Sequence, residues 1–219
     1  MEKLLEILLR FLPYGCTIVL VVGSIYGILQ YKRLSFPKRI LSLFLIVSLL
    51  FDIVSKSHGI FNLGSNIYLF LILSLFEFMV FTAYYLHMLS FEKQTKRILQ
   101  ALQLVGGLAI TYIAAKSLLL DNLERIAEVS GTLKMVVHLI IIILALHIMI
   151  HQVAKERVSL ATYGILFYYV GSIIIFYLLP QLVSTSLIAS YAIWTINSLL
   201  LMGFYIACIL EIRKWKKDS

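Results

Sequence analysis

Asn66-Ile67-Tyr68-Leu69-Phe70-Leu71-Ile72-Leu73-Ser74-Leu75-Phe76-Glu77-Phe78-Met79-Val80-Phe81 decides the fold class. Sixteen consecutive residues carry one charge, and the apolar character continues to about residue 90. A membrane crossing takes about 20 mostly apolar residues, because the hydrocarbon core is roughly 30 Å thick and a helix rises about 1.5 Å per residue. Six further stretches of the same kind lie at 12–31, 39–56, 98–118, 134–152, 160–182 and 187–211. Backbone polar groups in lipid must be satisfied within the segment, so each stretch is predicted to be a helix. None alternates apolar and polar residues as a membrane barrel strand does. The whole chain is 61% hydrophobic and 14% charged. Soluble domains average roughly 45–50% and about 25%, so an ordinary soluble domain is excluded. The expectation is an all-α polytopic membrane protein, a bundle of seven transmembrane helices over 12–211.

Basic residues set a direction. Lys32, Arg33, Lys38, Arg39, Lys93, Lys96, Arg97, Lys155, Arg157, Arg213, Lys214, Lys216 and Lys217 fall on one side of the seven crossings. Lys3, Arg10, Lys56, Lys116, Arg125 and Lys134 fall on the other. Thirteen against six places the N-terminus outside and the C-terminus in the cytoplasm by the positive-inside rule. Residues 1–11 set Leu4, Leu5, Leu8 and Leu9 against Glu2, Lys3, Glu6 and Arg10. They read as an amphipathic segment on the outer interface, bent into the first crossing near Pro13. No basic region precedes an apolar run there, so a cleaved signal peptide is not expected. The outer connection at 119–133 is predicted to hold a short surface helix capped by Asp121. The basic tail, 212–219, is expected to lie against anionic lipid, with Trp215 as an interfacial anchor.

The net charge of +8 does not point to nucleic acid, because the charges sit in short segments between apolar runs and form no basic face. Cys16 and Cys208 lie alone in apolar stretches, which fits small packing residues and excludes a disulfide framework. Gly106-Gly107 is read as a point of close helix packing.

An ionisable side chain inside a crossing is costly and marks a candidate functional site. Glu77 is the leading one. At about 100° per residue, Asn66 and Tyr84 fall within about 20° of it and Ser74 within about 60°, giving one polar stripe. A second stripe on the last helix holds Tyr191, Trp194, Ser198 and Tyr205, with Asn197 beside it. Tyr168, Tyr169 and Ser172 stand at similar depth on the sixth. The reading is a midplane polar cavity of Glu77, Asn66, Ser74, Tyr84, Asn197 and Ser198, with Glu77 as proton carrier or ligand counter-ion. Asp52, one turn from Lys56, is a candidate for an outer vestibule.

His147 and His151 are one turn apart, and His87 is expected at similar depth, so a three-histidine metal set on the cytoplasmic side is the alternative chemistry. Histidines capping helix ends are the more ordinary reading, and no cofactor is expected. His138 points to the opposite side of its helix from His147. No lysine in 187–211 can carry retinal, Pro180-Gln181 stands alone without a repeat, and no Gly-x-Ser-x-Gly elbow occurs.

Asn66-Ile67-Tyr68, Leu75-Phe76-Glu77-Phe78, Ile193-Trp194 and Asn197 together resemble the pattern of small seven-helix integral membrane proteins of Bacteroidota. That resemblance implies architecture and a bacterial cytoplasmic membrane. Three functions follow from the residues: a sensory or accessory subunit acting through a membrane or cytoplasmic protein partner, placed first; a small proton-coupled transporter using Glu77; and a metal-dependent intramembrane enzyme using His87, His147 and His151.

Overall fold

The computed structural model describes residues 2–61, 67–88, 93–118, 123–153, 158–183 and 187–214. Among them the chain forms seven α-helices and no strand. These are α1 (Glu2–Gln30), α2 (Phe36–Ile60), α3 (Ile67–Met88), α4 (Lys93–Leu118), α5 (Leu123–Val153), α6 (Leu160–Val183) and α7 (Leu187–Arg213). Six contain an uninterrupted window long and apolar enough to cross a membrane; in α6 the described apolar run is Leu160–Ile175.

Local sequence explains the breaks. Leu34 and Ser35 adopt extended backbone after a short 3-10 turn at Tyr31–Arg33, and a proline follows in the first turn of α2, where its missing N–H costs nothing. Arg39 closes this connection by donating to the Leu34 carbonyl at 2.9 Å and the Lys32 carbonyl at 3.2 Å. Pro13 does not divide α1, which runs unbroken from Glu2, so residues 2–11 share one helix with the first crossing.

The largest departure from the predicted spans is in α5. Its helix begins at Leu123, so the part of the expected outer loop from 123 to 133 is instead its first turns, and 119–122 lie outside the described residues. Ile126, Ser130 and Leu133 are already buried there. Lys134 is consequently not a loop charge but an interior residue, 5% exposed. The expected cap Asp121 and anchor Trp215 lie outside the described residues.

Six helices close a ring in the order α1, α2, α3, α5, α6, α7, and α4 lies outside it against α3 and α5. Small residues bring the axes together. A Cβ on Gly164 of α6 would stand 2.6 Å from the Ala207 Cβ of α7, and one on Gly106 of α4 would stand 2.8 Å from the Phe78 ring. Gly106 is thus a packing residue, as its sequence suggested. α3 and α7 are not packed side by side along their length; they face each other across the interior.

That interior is filled in its middle by a layer of buried aromatic rings. Phe44 of α2 meets Phe81 of α3 at 4.8 Å between centroids and Phe204 of α7 at 5.3 Å. Tyr169 of α6 stands edge-on to Phe81 at 5.6 Å, and Tyr168 stacks on Phe204 at 5.2 Å. Offset and edge-on pairs at such distances contribute about 0.5–1.5 kcal/mol each beyond the area they bury. Four ring helices are thereby locked at one level, and the space on the N-terminal side of that level houses the candidate site.

Candidate functional site

A cavity of about 180 Å³ lies between the aromatic layer and the end of the bundle that carries the chain's N-terminus. α2 lines it with Ser48, Phe51, Asp52 and Ser55; α3 with Leu69, Leu73 and Glu77; α5 with Lys134. Tyr168 of α6 and Trp194, Asn197, Leu201 and Tyr205 of α7 complete the wall. From Leu69 to Glu77, the stretch of α3 that lines it, the helix rises about 12 Å.

Glu77 is 3% exposed and sits at the inner end. Its Oε2 lies 3.3 Å from Nε2 of His138, a fully buried residue one turn beyond Lys134 on α5. Lys134 is within electrostatic reach of the Glu77 carboxyl. The His138 ring stands edge-on against Tyr169 at 4.5 Å, so the aromatic layer holds the imidazole in place. Burying ionisable groups costs several kcal/mol each unless they are paired and hydrogen-bonded. The Glu77 carboxyl and the His138 imidazole, from two helices, meet that condition together.

Nearer the end of the bundle is a second ionic cluster. Lys56 donates to Asp52 at 2.8 Å, to the Pro13 carbonyl at 3.0 Å and to Thr17 Oγ1, and it stands 5.5 Å from the Tyr14 ring centroid. Thr17 Oγ1 is also 2.7 Å from Asp52. Asp52 is thus shared between the cavity wall and a link from α2 to α1. At the opposite end of the bundle, Glu211 accepts the Leu160 backbone N–H at 2.8 Å, and Gln152 accepts that of Ser159 at 3.0 Å. A carboxylate at a helix start meets donors that have no intrahelical acceptor and a favourable dipole. Tyr84 joins the same group through a 3.3 Å contact with Ser159 Oγ.

The predicted sites divide accordingly. Glu77, Asn197 and Asp52 line one cavity. Tyr84 does not; it belongs to the far fastening. Ser74 is buried on α3 without lining the cavity, Ser198 engages the Cys16 thiol through its backbone carbonyl at 3.4 Å, and Asn66 lies outside the described residues. His147 and His151 stack at 5.8 Å on an exposed face of α5, while His87 is exposed with Nδ1 2.9 Å from the Ala83 carbonyl. Among the described residues no three His, Cys, Asp or Glu side chains are grouped to hold a metal, so the three-histidine set is not assembled.

Sequence reasoning missed Lys134 and His138. The signal was available: Ile126, Ser130, Lys134, Val137, Ile141, Ala145 and Ile148 share the helical period of a buried face, and His138 falls on it. Comparison with family models, curated proteins and solved structures returns no match for this chain.

Proposed function

We propose that the chain is a small proton-coupled transporter of a bacterial cytoplasmic membrane. It would admit a small polar solute from outside into the mid-bundle cavity and use Glu77 as the proton-carrying group. The observation that carries this reading is the position of Glu77, a buried carboxyl lining a mid-bundle cavity, hydrogen-bonded to His138, within electrostatic reach of Lys134 and next to an aromatic layer. A cavity bounded on one side by an aromatic layer is what one state of an alternating-access cycle would present.

The titratable groups around Glu77 define the proton chemistry. Lys134 and His138 face it from α5, Tyr168 and Tyr169 from α6, Tyr205 from α7, and Asp52 from α2. Protonation of Glu77 weakens its hold on Lys134 and His138 and so loosens α3 from α5. That is a way to couple a proton to helix movement, since a ligand or proton shifts an equilibrium only through differential interaction with its two states.

The orientation, N-terminus outside and C-terminus cytoplasmic, rests on the basic residues at the C-terminal end. With Lys134 counted as interior, thirteen basic residues stand against five. Lys32, Arg33, Arg97, Arg213 and Lys214 are exposed at that end, which also favours a second reading, an accessory subunit whose basic loops dock an acidic cytoplasmic partner. A native mass spectrum of the protein gently extracted from its membrane separates the two: stoichiometric partners support the subunit and a bare chain supports the transporter.

The direct test is flux. Liposomes holding the protein and an internal pH dye should show solute-dependent proton entry under an inward proton gradient when given a mixture of small polar solutes. Glu77→Gln should abolish that entry while remaining folded by size exclusion. Equal flux in the variant would overturn the assignment.

A further inference from the structure

We propose that the cavity's occupant is a small zwitterion of the amino-acid kind, an ammonium and a carboxylate close together with a short aliphatic side chain. The proposal rests on the reading of the Glu77 cavity as a ligand site and names the chemistry it selects.

Charge balance is the first argument. The wall presents two carboxylates, Asp52 and Glu77, and the ammonium of Lys134, while Lys56 neutralises Asp52 from behind at 2.8 Å. Acidic and basic groups therefore match. A ligand with one net charge would leave an uncompensated charge in a low-dielectric interior, at a cost of several kcal/mol. A zwitterion exchanges partner for partner: its ammonium takes a place beside Glu77 or Asp52, its carboxylate a place beside Lys134, and the total stays neutral.

Two polar atoms in the same wall await a partner. Ser48 is 5% exposed, and its Oγ has no hydrogen bond among the described residues; the Asn197 Oδ1 is buried in the same condition. Buried polar atoms of this kind are normally satisfied, and an occupant of the cavity would supply the missing bonds once the two side chains turn towards it. Asn197 Oδ1 accepts from an ammonium, and the Ser48 hydroxyl donates to a carboxylate. A zwitterion completes both.

Size and apolar surface narrow the class. About 180 Å³ corresponds to roughly six waters at about 30 Å³ each and falls below the approximately 300–1,000 Å³ of drug-sized pockets. Phe51, Leu69, Leu73 and Leu201 supply the apolar part of the wall, which accommodates an aliphatic side chain and repels a further charge.

The experiment is thermal unfolding of the purified full chain with matched probes. L-alanine and L-leucine are compared with ethylamine and 3-methylbutylamine, which lack the carboxylate, and with propionate and 4-methylpentanoate, which lack the amine. At least one amino acid should raise Tm at a concentration at least tenfold lower than its matched amine or acid. Lys134→Met should remove most of that preference; if that variant does not fold, Ser48→Val and Asn197→Leu should each weaken the amino-acid shift severalfold. An amine or an acid that stabilises as well as its amino acid overturns the zwitterion and leaves the ligand cavity standing. Absence of any shift across the set also overturns it, whereas the transport reading stands or falls separately on the proton flux of Glu77→Gln.

Discussion

The molecule contains two carboxylates held by cations, and they differ in almost every respect that matters. Asp52 and Lys56 are four residues apart on one helix, about a quarter exposed, and joined by a bond that any helix with those residues can form. Glu77 and His138 come from different helices, are 61 residues apart and are essentially shut off from solvent. The first pair is a local property of α2 with a link to α1. The second exists only because α3 and α5 pack together, so its energy and its disruption belong to the whole bundle.

The largest effect should come from breaking the inner group. Glu77→Ala leaves Lys134 and His138 in the interior without their carboxyl, and removing one partner of a buried pair typically costs about 3–5 kcal/mol. Thermal or SDS unfolding should show a loss of that order. A smaller loss, about 1–3 kcal/mol, is expected for His138→Ala, which removes one hydrogen bond to a buried acid and the ring packed against Tyr169. A double-mutant cycle with Glu77→Gln sharpens the contrast, since the two residues should couple, whereas Glu77 and Asp52 should be close to additive in stability.

The outer pair should matter less. Asp52→Asn or Lys56→Met is expected to change stability by less than about 1 kcal/mol, the usual range for a partly exposed pair. The same Asp52 variant should nevertheless weaken ligand binding, because Asp52 also lines the cavity. The smallest effect belongs to the exposed histidines. His147→Ala and His151→Ala should each lie within about 0.5 kcal/mol of the parent and leave proton flux unchanged. A larger loss in either would mean that this face of α5 is engaged by something further.

These contrasts also explain what was legible in the amino-acid order. Glu77 stands out because a carboxyl in an unbroken apolar run has no local excuse, and Asn197 stands out in the same way. Lys134 reads as the edge of a span because a charge normally marks where lipid ends. The carboxyl that acts on it electrostatically, Glu77, is on another helix, and a hydropathy argument along one chain segment has no access to it. His138 points away from His147, and that same direction places it on the buried face with Val137 and Ile141. The Glu211 cap on the start of α6 was invisible for a related reason: a capping carboxylate supplied from 51 residues away leaves no local signature. The seven helices themselves were legible because bilayer thickness acts on each segment separately. Their ring order and the outlying position of α4 were not, because small-residue contacts such as Gly164 with Ala207 are pairwise.

The proposed transporter requires that the Glu77 cavity be reached from outside and sealed towards the cytoplasm by the layer containing Phe204. It is tested most directly by thiol labelling in intact cells. The parent for this experiment has Cys16 and Cys208 replaced by alanine, and single cysteines are placed by Asn197→Cys and Phe204→Cys. A small membrane-impermeant methanethiosulfonate should modify the first from outside, and excess L-alanine or L-leucine should protect it, while the second should stay unmodified. Labelling of Asn197→Cys only after the membrane is opened, or equal labelling of both positions, would contradict the account.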